Sequence, residues 1–215
     1  MEIRFIILFL FFGSSFLDML YVYKEVPKSR IFSKTLLMPL LLIFYLLSTD
    51  SPIIFLIFAL IFSFFGDLFL LWENKKITFI LGLLSFLIAH LFFFLTFLIT
   101  SNYFKGTPFY IYLFIIPYII YGYYLYKFLK PEINKIKFAI LIYILMIIIM
   151  SFSTIPRYYL VNFNKFVLPF LGSILFIISD SLLALKVFKK KIKENSILIM
   201  LTYIIAQFFI VLGFI

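Results

Sequence analysis

Apolar runs of close to twenty residues recur along this chain, each closed by a short polar or charged turn. The runs are continuous rather than alternating, so they predict membrane-spanning helices and argue against a β-barrel. Eight runs are read, at 3–23, 34–49, 52–72, 78–99, 109–128, 136–152, 168–187 and 196–215. The predicted fold class is all-α: a polytopic membrane helical bundle in a single integral-membrane domain. The second run is short and opens on polar residues, which predicts a tilted or partly sunk helix. Arg4 ahead of the first run resembles the start of a signal peptide. No Ala-x-Ala-like site follows, and Asp18 would interrupt the apolar stretch, so an uncleaved first helix is expected. Pro117 is expected to kink the fifth helix. The seven tyrosines from Tyr110 to Tyr126 are expected to form an aromatic belt and packing surface.

Composition sharpens this picture. The chain has 215 residues, is 66% hydrophobic and has a mean hydropathy of +1.21. It has no cysteine and one histidine, which excludes disulfides, thiolate chemistry and a three-histidine zinc site. No cofactor and no metal is expected, because no glycine-rich nucleotide loop, serine elbow or metal-ligand cluster is present. The net charge of +10 is read as topology signal and contact with anionic lipid, not as a nucleic-acid surface. Lys24, Lys28, Arg30, Lys34, Lys75, Lys76, Lys127, Lys130, Lys135, Lys137, Lys186, Lys189, Lys190, Lys191 and Lys193 fall on one side of the predicted bundle. Arg4, Lys105, Arg157 and Lys165 fall on the other. The positive-inside rule then puts both termini outside, in a membrane such as the bacterial cytoplasmic membrane.

Against this background the intramembrane polar residues stand out, since each is costly there. Asp67 follows Gly66, with Ser63 one turn away on the same face. The glycine would let another helix approach closely. Asp180 lies between Ser179 and Ser181, with Ser173 two turns away. His90 and Gln207 fall near mid-membrane, and Tyr143 in the same half as the aspartates. At about 1.5 Å per residue, Asp67 would lie about 7–8 Å and Asp180 about 10 Å inside the interface. Little polar chemistry is expected in the outer half.

The stretch Phe64-Phe65-Gly66-Asp67-Leu68-Phe69-Leu70 echoes Ile177-Ile178-Ser179-Asp180-Ser181-Leu182-Leu183, and Ala89-His90 echoes Ala206-Gln207. Four helices per half would make the repeats parallel and set the aspartates at one depth, facing a common cavity. Carboxyl groups taken out of water resist ionisation, more so beside another carboxylate. One protonated and one ionised aspartate, with His90 near a water, would make a general acid/base site. The plain alternative is a structural ion pair with Lys34 or a serine network. Lys34, Lys28 and Arg30 lie at the mouth of the same half, where they would hold a phosphate or act only as topology charges.

An ordered set of these residues resembles the YhhN family of eight-span membrane proteins, which includes lysoplasmalogenases. The set begins with Lys34-Thr35-Leu36-Leu37-Met38-Pro39, Ser63, Gly66-Asp67, Gly82, Phe86 and Ala89-His90. It continues through Tyr143, Met150, Gly172, Phe176, Ser179-Asp180-Ser181-Leu182-Leu183-Ala184, Tyr203 and Ala206-Gln207. Thr35 departs from the family, which usually shows proline there. The resemblance implies hydrolysis of the vinyl ether bond of a lysophospholipid, the lysoplasmalogen, to a fatty aldehyde and a glycerophospho-base. Asp67, Asp180 and His90 would be catalytic. Lys34, Arg30, Ser63, Ser179, Ser181, Tyr143, Tyr203 and Gln207 would line the substrate. Two intramembrane acids and a histidine also suit a proton-coupled transporter of lipids or small molecules, and that second class stays open.

Overall fold

The computed structural model describes residues 2–72, 75–133, 136–189 and 196–215. The charged turn at Glu73 and Asn74, and the topology lysines Lys135, Lys190, Lys191 and Lys193, lie outside the described residues, as does the side chain of Lys28. The described residues form α-helices in the order α1 (Glu2–Tyr23), α2 (Pro27–Ser48), α3 (Ile54–Leu70), α4 (Lys76–Thr100), α5 (Ile115–Leu129), α6 (Lys137–Phe152), α7 (Phe163–Ala184) and α8 (Ser196–Leu212). Short 3₁₀ turns at Phe109–Phe114 and Ile155–Tyr159 lead into α5 and follow α6, and α7 runs on into a π turn at Leu185–Lys189. Six of these segments are long and apolar enough to cross a membrane. Helices α3 and α8 are apolar but have 17 residues each. At about 1.5 Å per residue that gives about 25 Å, the lower end of what spans a hydrocarbon core.

Three boundaries differ from the sequence reading, each for a local reason. Helix α2 starts seven residues before the predicted run, at Pro27. Proline suits a first helical turn, where its missing N–H would have had no partner. The basic residues that looked like a loop are therefore helical, and Arg30, Ser33 and Lys34 share one face at i, i+3 and i+4. Pro117 is the third residue of α5 rather than an interior kink, because the chain reaches it through a 3₁₀ turn. Helix α7 begins at Phe163, with Pro169 inside it, about three turns ahead of the serines beside Asp180.

The chain forms two compact units, residues 1–93 with 214–215 and residues 94–213, divided within α4. In the first, α2 packs against both α1 and α3. Helix α4 meets α3 through glycine: a Cβ at Gly66 would lie 2.6 Å from the ring of Phe86, and one at Gly82 2.8 Å from Leu70. Leu37, Met38, Leu41, Tyr45, Leu56, Ala59, Leu60 and Phe86 are buried here. The Tyr45 hydroxyl accepts a 2.8 Å hydrogen bond from the backbone N–H of Ile53, closing the α2–α3 turn.

In the second unit α7 packs along α8, and α6 lies against α5 and α7. Ile140, Tyr143, Ile144, Ile147, Met150, Phe176, Tyr203 and Ile210 are buried. The α7–α8 contact depends on Gly172, where a Cβ would meet the carbonyl oxygen of Ala206 at 2.7 Å and the backbone nitrogen of Ile210 at 3.1 Å. Backbone cannot swing aside as a side chain can. Gly172→Ala should therefore destabilise the protein by about 1–3 kcal/mol through overpacking, read as a lower melting temperature in detergent. An unchanged melt would show that the helices separate at little cost.

Candidate functional site

Each unit carries one aspartate on its third helix, and the two have different surroundings. Asp67 and Ser63 are fully buried on α3, held in place by the α3–α4 approach at Gly66. Lys34 reaches down from the second turn of α2, and its Nζ stands 3.4 Å from Asp67 Oδ1. The side chains of this pair are 6% and 3% exposed. This is the ion pair named above as the plain alternative. It is also an arrangement that holds a carboxylate still, because a buried pair with one member removed leaves an uncompensated charge. His90 is fully buried on α4, one turn beyond Phe86 on the same face.

Arg30, predicted at the mouth with Lys34, is engaged with α1. Its Nε lies 3.4 Å from Asp18 Oδ1, and the Ser33 hydroxyl donates to the same oxygen at 3.2 Å. Asp18 is fully buried. The sequence marked Asp18 only as a polar interruption. Its partners became visible once α2 was seen to start early enough to bring Arg30 and Ser33 onto one helical face.

Asp180 in the second unit accepts a short hydrogen bond, 2.5 Å, from the Tyr143 hydroxyl of α6. The neighbouring serines point different ways. Ser179 donates to the Ile199 carbonyl of α8 at 2.9 Å, and so binds two helices together. Ser181 donates to the Ile177 carbonyl of its own helix and meets the hydroxyl of Tyr121. Below them Ser173 and Ser151 are 2.8 Å apart, and Ser151 also donates to Tyr118 at 3.3 Å. Tyr203 is buried edge-on against Phe176, and Gln207 is fully buried one turn further along α8.

Two sequence expectations need correction here. Tyr118 and Tyr121 are not only belt residues, since their hydroxyls bond serines of α6 and α7. Nor is the far end of this unit bare of polar chemistry. Arg157 is 1% exposed in the turn after α6. Its Nη1 donates to the Thr100 hydroxyl and to Ser101, and its Nη2 to the carbonyl of Lys165 at 3.0 Å. It was counted with the topology charges. The hydroxyls of Thr100 and Ser101 at the end of the fourth run were the available signal, because hydroxyls gather where a buried donor needs acceptors.

Chemically, the arrangement offers one carboxyl group held by a cation and one held by a hydroxyl, each on a helix fixed by a close glycine contact. Among the described residues no cluster of histidine, aspartate and glutamate is suited to a metal ion. The model of the YhhN family matches residues 29–214. No curated protein and no solved structure matches the chain.

Proposed function

Since this chain belongs to the YhhN family, we propose that it is an intramembrane hydrolase that cleaves the vinyl ether bond of lysoplasmalogens. All eight helices would cross the bilayer, with α3 and α8 the shortest. The observation that carries the reading is the presence of two aspartates in unlike settings, Asp67 buried against Lys34 and Asp180 half-buried against Tyr143. Vinyl ether cleavage needs two such groups. An acid protonates the β-carbon of the alkenyl chain, and the double bond becomes an oxocarbenium ion. A carboxylate stabilises that positive charge. Water then adds to the cationic carbon and gives up a proton, and the hemiacetal collapses to a fatty aldehyde and the free glycerol hydroxyl. The division of labour is that of the carboxyl pair in glycoside hydrolysis. His90 would orient or deprotonate the water.

The test is substrate discrimination. Detergent-purified protein should release aldehyde from a 1-alkenyl lysophospholipid and none from its saturated 1-alkyl analogue, which has no double bond to protonate. Absence of aldehyde from both would remove this function.

A further inference from the structure

Asp18 lies on α1, outside the residues matched by the family, yet it is fully buried and holds two residues of α2. A carboxylate there needs a reason, because taking it out of water is costly unless it is paired. Oδ1 meets Arg30 Nε at 3.4 Å and the Ser33 hydroxyl at 3.2 Å. Lys34 is also within electrostatic reach of Asp18, but its Nζ contact is with Asp67. Arg30 and Lys34, the two cations near the start of α2 whose side chains are described, are thus divided. Lys34 is 5% exposed and committed to a carboxylate. Arg30 keeps 22% of its side chain exposed and uses Nε toward the interior. Among the described residues no protein group bonds its two terminal nitrogens. The 3.4 Å ion pair at Nε, made without a hydrogen bond, draws that side of the guanidinium inward, and an outward fork suits the paired oxygens of a phosphate.

We propose that Asp18 is a positioning residue: through its ion pair with Arg30 Nε it turns the terminal guanidinium nitrogens out to take the phosphate of a lysolipid headgroup, while Lys34 stays with Asp67. This rests on the lysolipid reading above. It gives the two cations different roles. Arg30, not Lys34, meets the phosphate, and Asp18 acts through Arg30.

The experiment is a mutant cycle on the purified full-length protein, with 1-alkenyl lysophospholipid and with 1-alkenylglycerol, which lacks the phosphate. Arg30→Ala should raise KM for the phospholipid about tenfold, with a smaller fall in kcat, as expected for a charge-assisted bond made in the ground state. Asp18→Asn should raise KM in the same way. The double variant should be no worse than Arg30→Ala alone, since both act through one contact. Neither penalty should appear with 1-alkenylglycerol. Asp18→Glu keeps the charge and displaces the carboxylate by one methylene, so it covers the case in which Asp18→Asn does not fold. It should raise KM for the phospholipid alone. Additive losses, or equal losses on the phosphate-free substrate, would overturn the proposal and leave Asp18 a structural residue.

If no vinyl ether is cleaved at all, binding of a fluorescent saturated lysophospholipid to the same variants reads the inference separately. Weaker binding in Arg30→Ala and Asp18→Asn would support it without the hydrolase activity, and unchanged binding would end it. Competition by inorganic phosphate in that assay would point to a free-anion site. Resistance to it would point to the lipid headgroup.

Discussion

Asp67→Asn and Asp180→Asn should each lower kcat for lysoplasmalogen by about 10²–10⁴-fold, the usual contribution of a positioned acid or base. The amide keeps the volume and shape of the side chain, but it neither donates an acidic proton nor carries charge. A variant retaining more than a tenth of wild-type kcat would exclude its aspartate from the chemistry. The two should differ in stability. Asp67→Asn takes the carboxylate from Lys34, and breaking a buried pair costs about 3–5 kcal/mol. Its melting temperature should fall, and Lys34→Met in the same chain should restore it without restoring turnover. That separation of melt from rate distinguishes a catalytic aspartate from a purely structural ion pair. Asp180 has Tyr143 as a partner, and Tyr143→Phe removes only the donor. It should reduce kcat about tenfold, in line with the loss of one hydrogen bond to an acidic group. Proton transfer to carbon should limit the rate throughout, so turnover in deuterated water should be slower. A solvent isotope effect of unity would place another step in control.

Arg157→Ala should produce a large loss of stability, about 3–5 kcal/mol. The guanidinium joins the last turn of α4, through Thr100 and Ser101, to the Lys165 carbonyl at the start of α7. It also lies over the ring of Phe97, 5.6 Å from its centroid. A cation at the C-terminal end of a helix meets carbonyls that have no partner within the helix, and it opposes the helix dipole. Truncation would leave these acceptors buried without a donor and open a cavity. For a chain of this size the melting temperature should fall by more than about 6 °C. Arg157→Lys should recover part of the loss, because one ammonium cannot serve both ends of the fork. Turnover per folded molecule should hold, since Arg157 is remote from Asp180 along α6 and α7. A melt equal to wild type would show that the cluster is dispensable.

The existence of the helices was legible in the sequence because a bilayer imposes a single strong rule, that backbone polar groups be satisfied within each segment. Continuous apolar runs of Phe, Leu and Ile therefore had one reading, and Asp67, Asp180 and His90 stood out against them by cost alone. The close approach at Gly66 was also readable, and Phe86 fills it. Boundaries were less legible. Pro27 and the basic residues after it looked like a loop, because local composition does not reveal whether a charged turn finds carboxylates on a neighbouring helix. Apart from Lys34 as an ion-pair partner for an aspartate, which Asp67 takes, the pairings were not legible. Asp18 with Arg30, Tyr143 with Asp180, Tyr121 with Ser181 and Arg157 with Thr100 join residues far apart in the chain. Their pairing follows from which faces the packed helices present to one another. Burial then selects among those contacts, since a polar group out of water must find its complement in whatever helix lies beside it. Sequence determined the helices and the costly residues on them; tertiary packing decided which partner each carboxylate keeps.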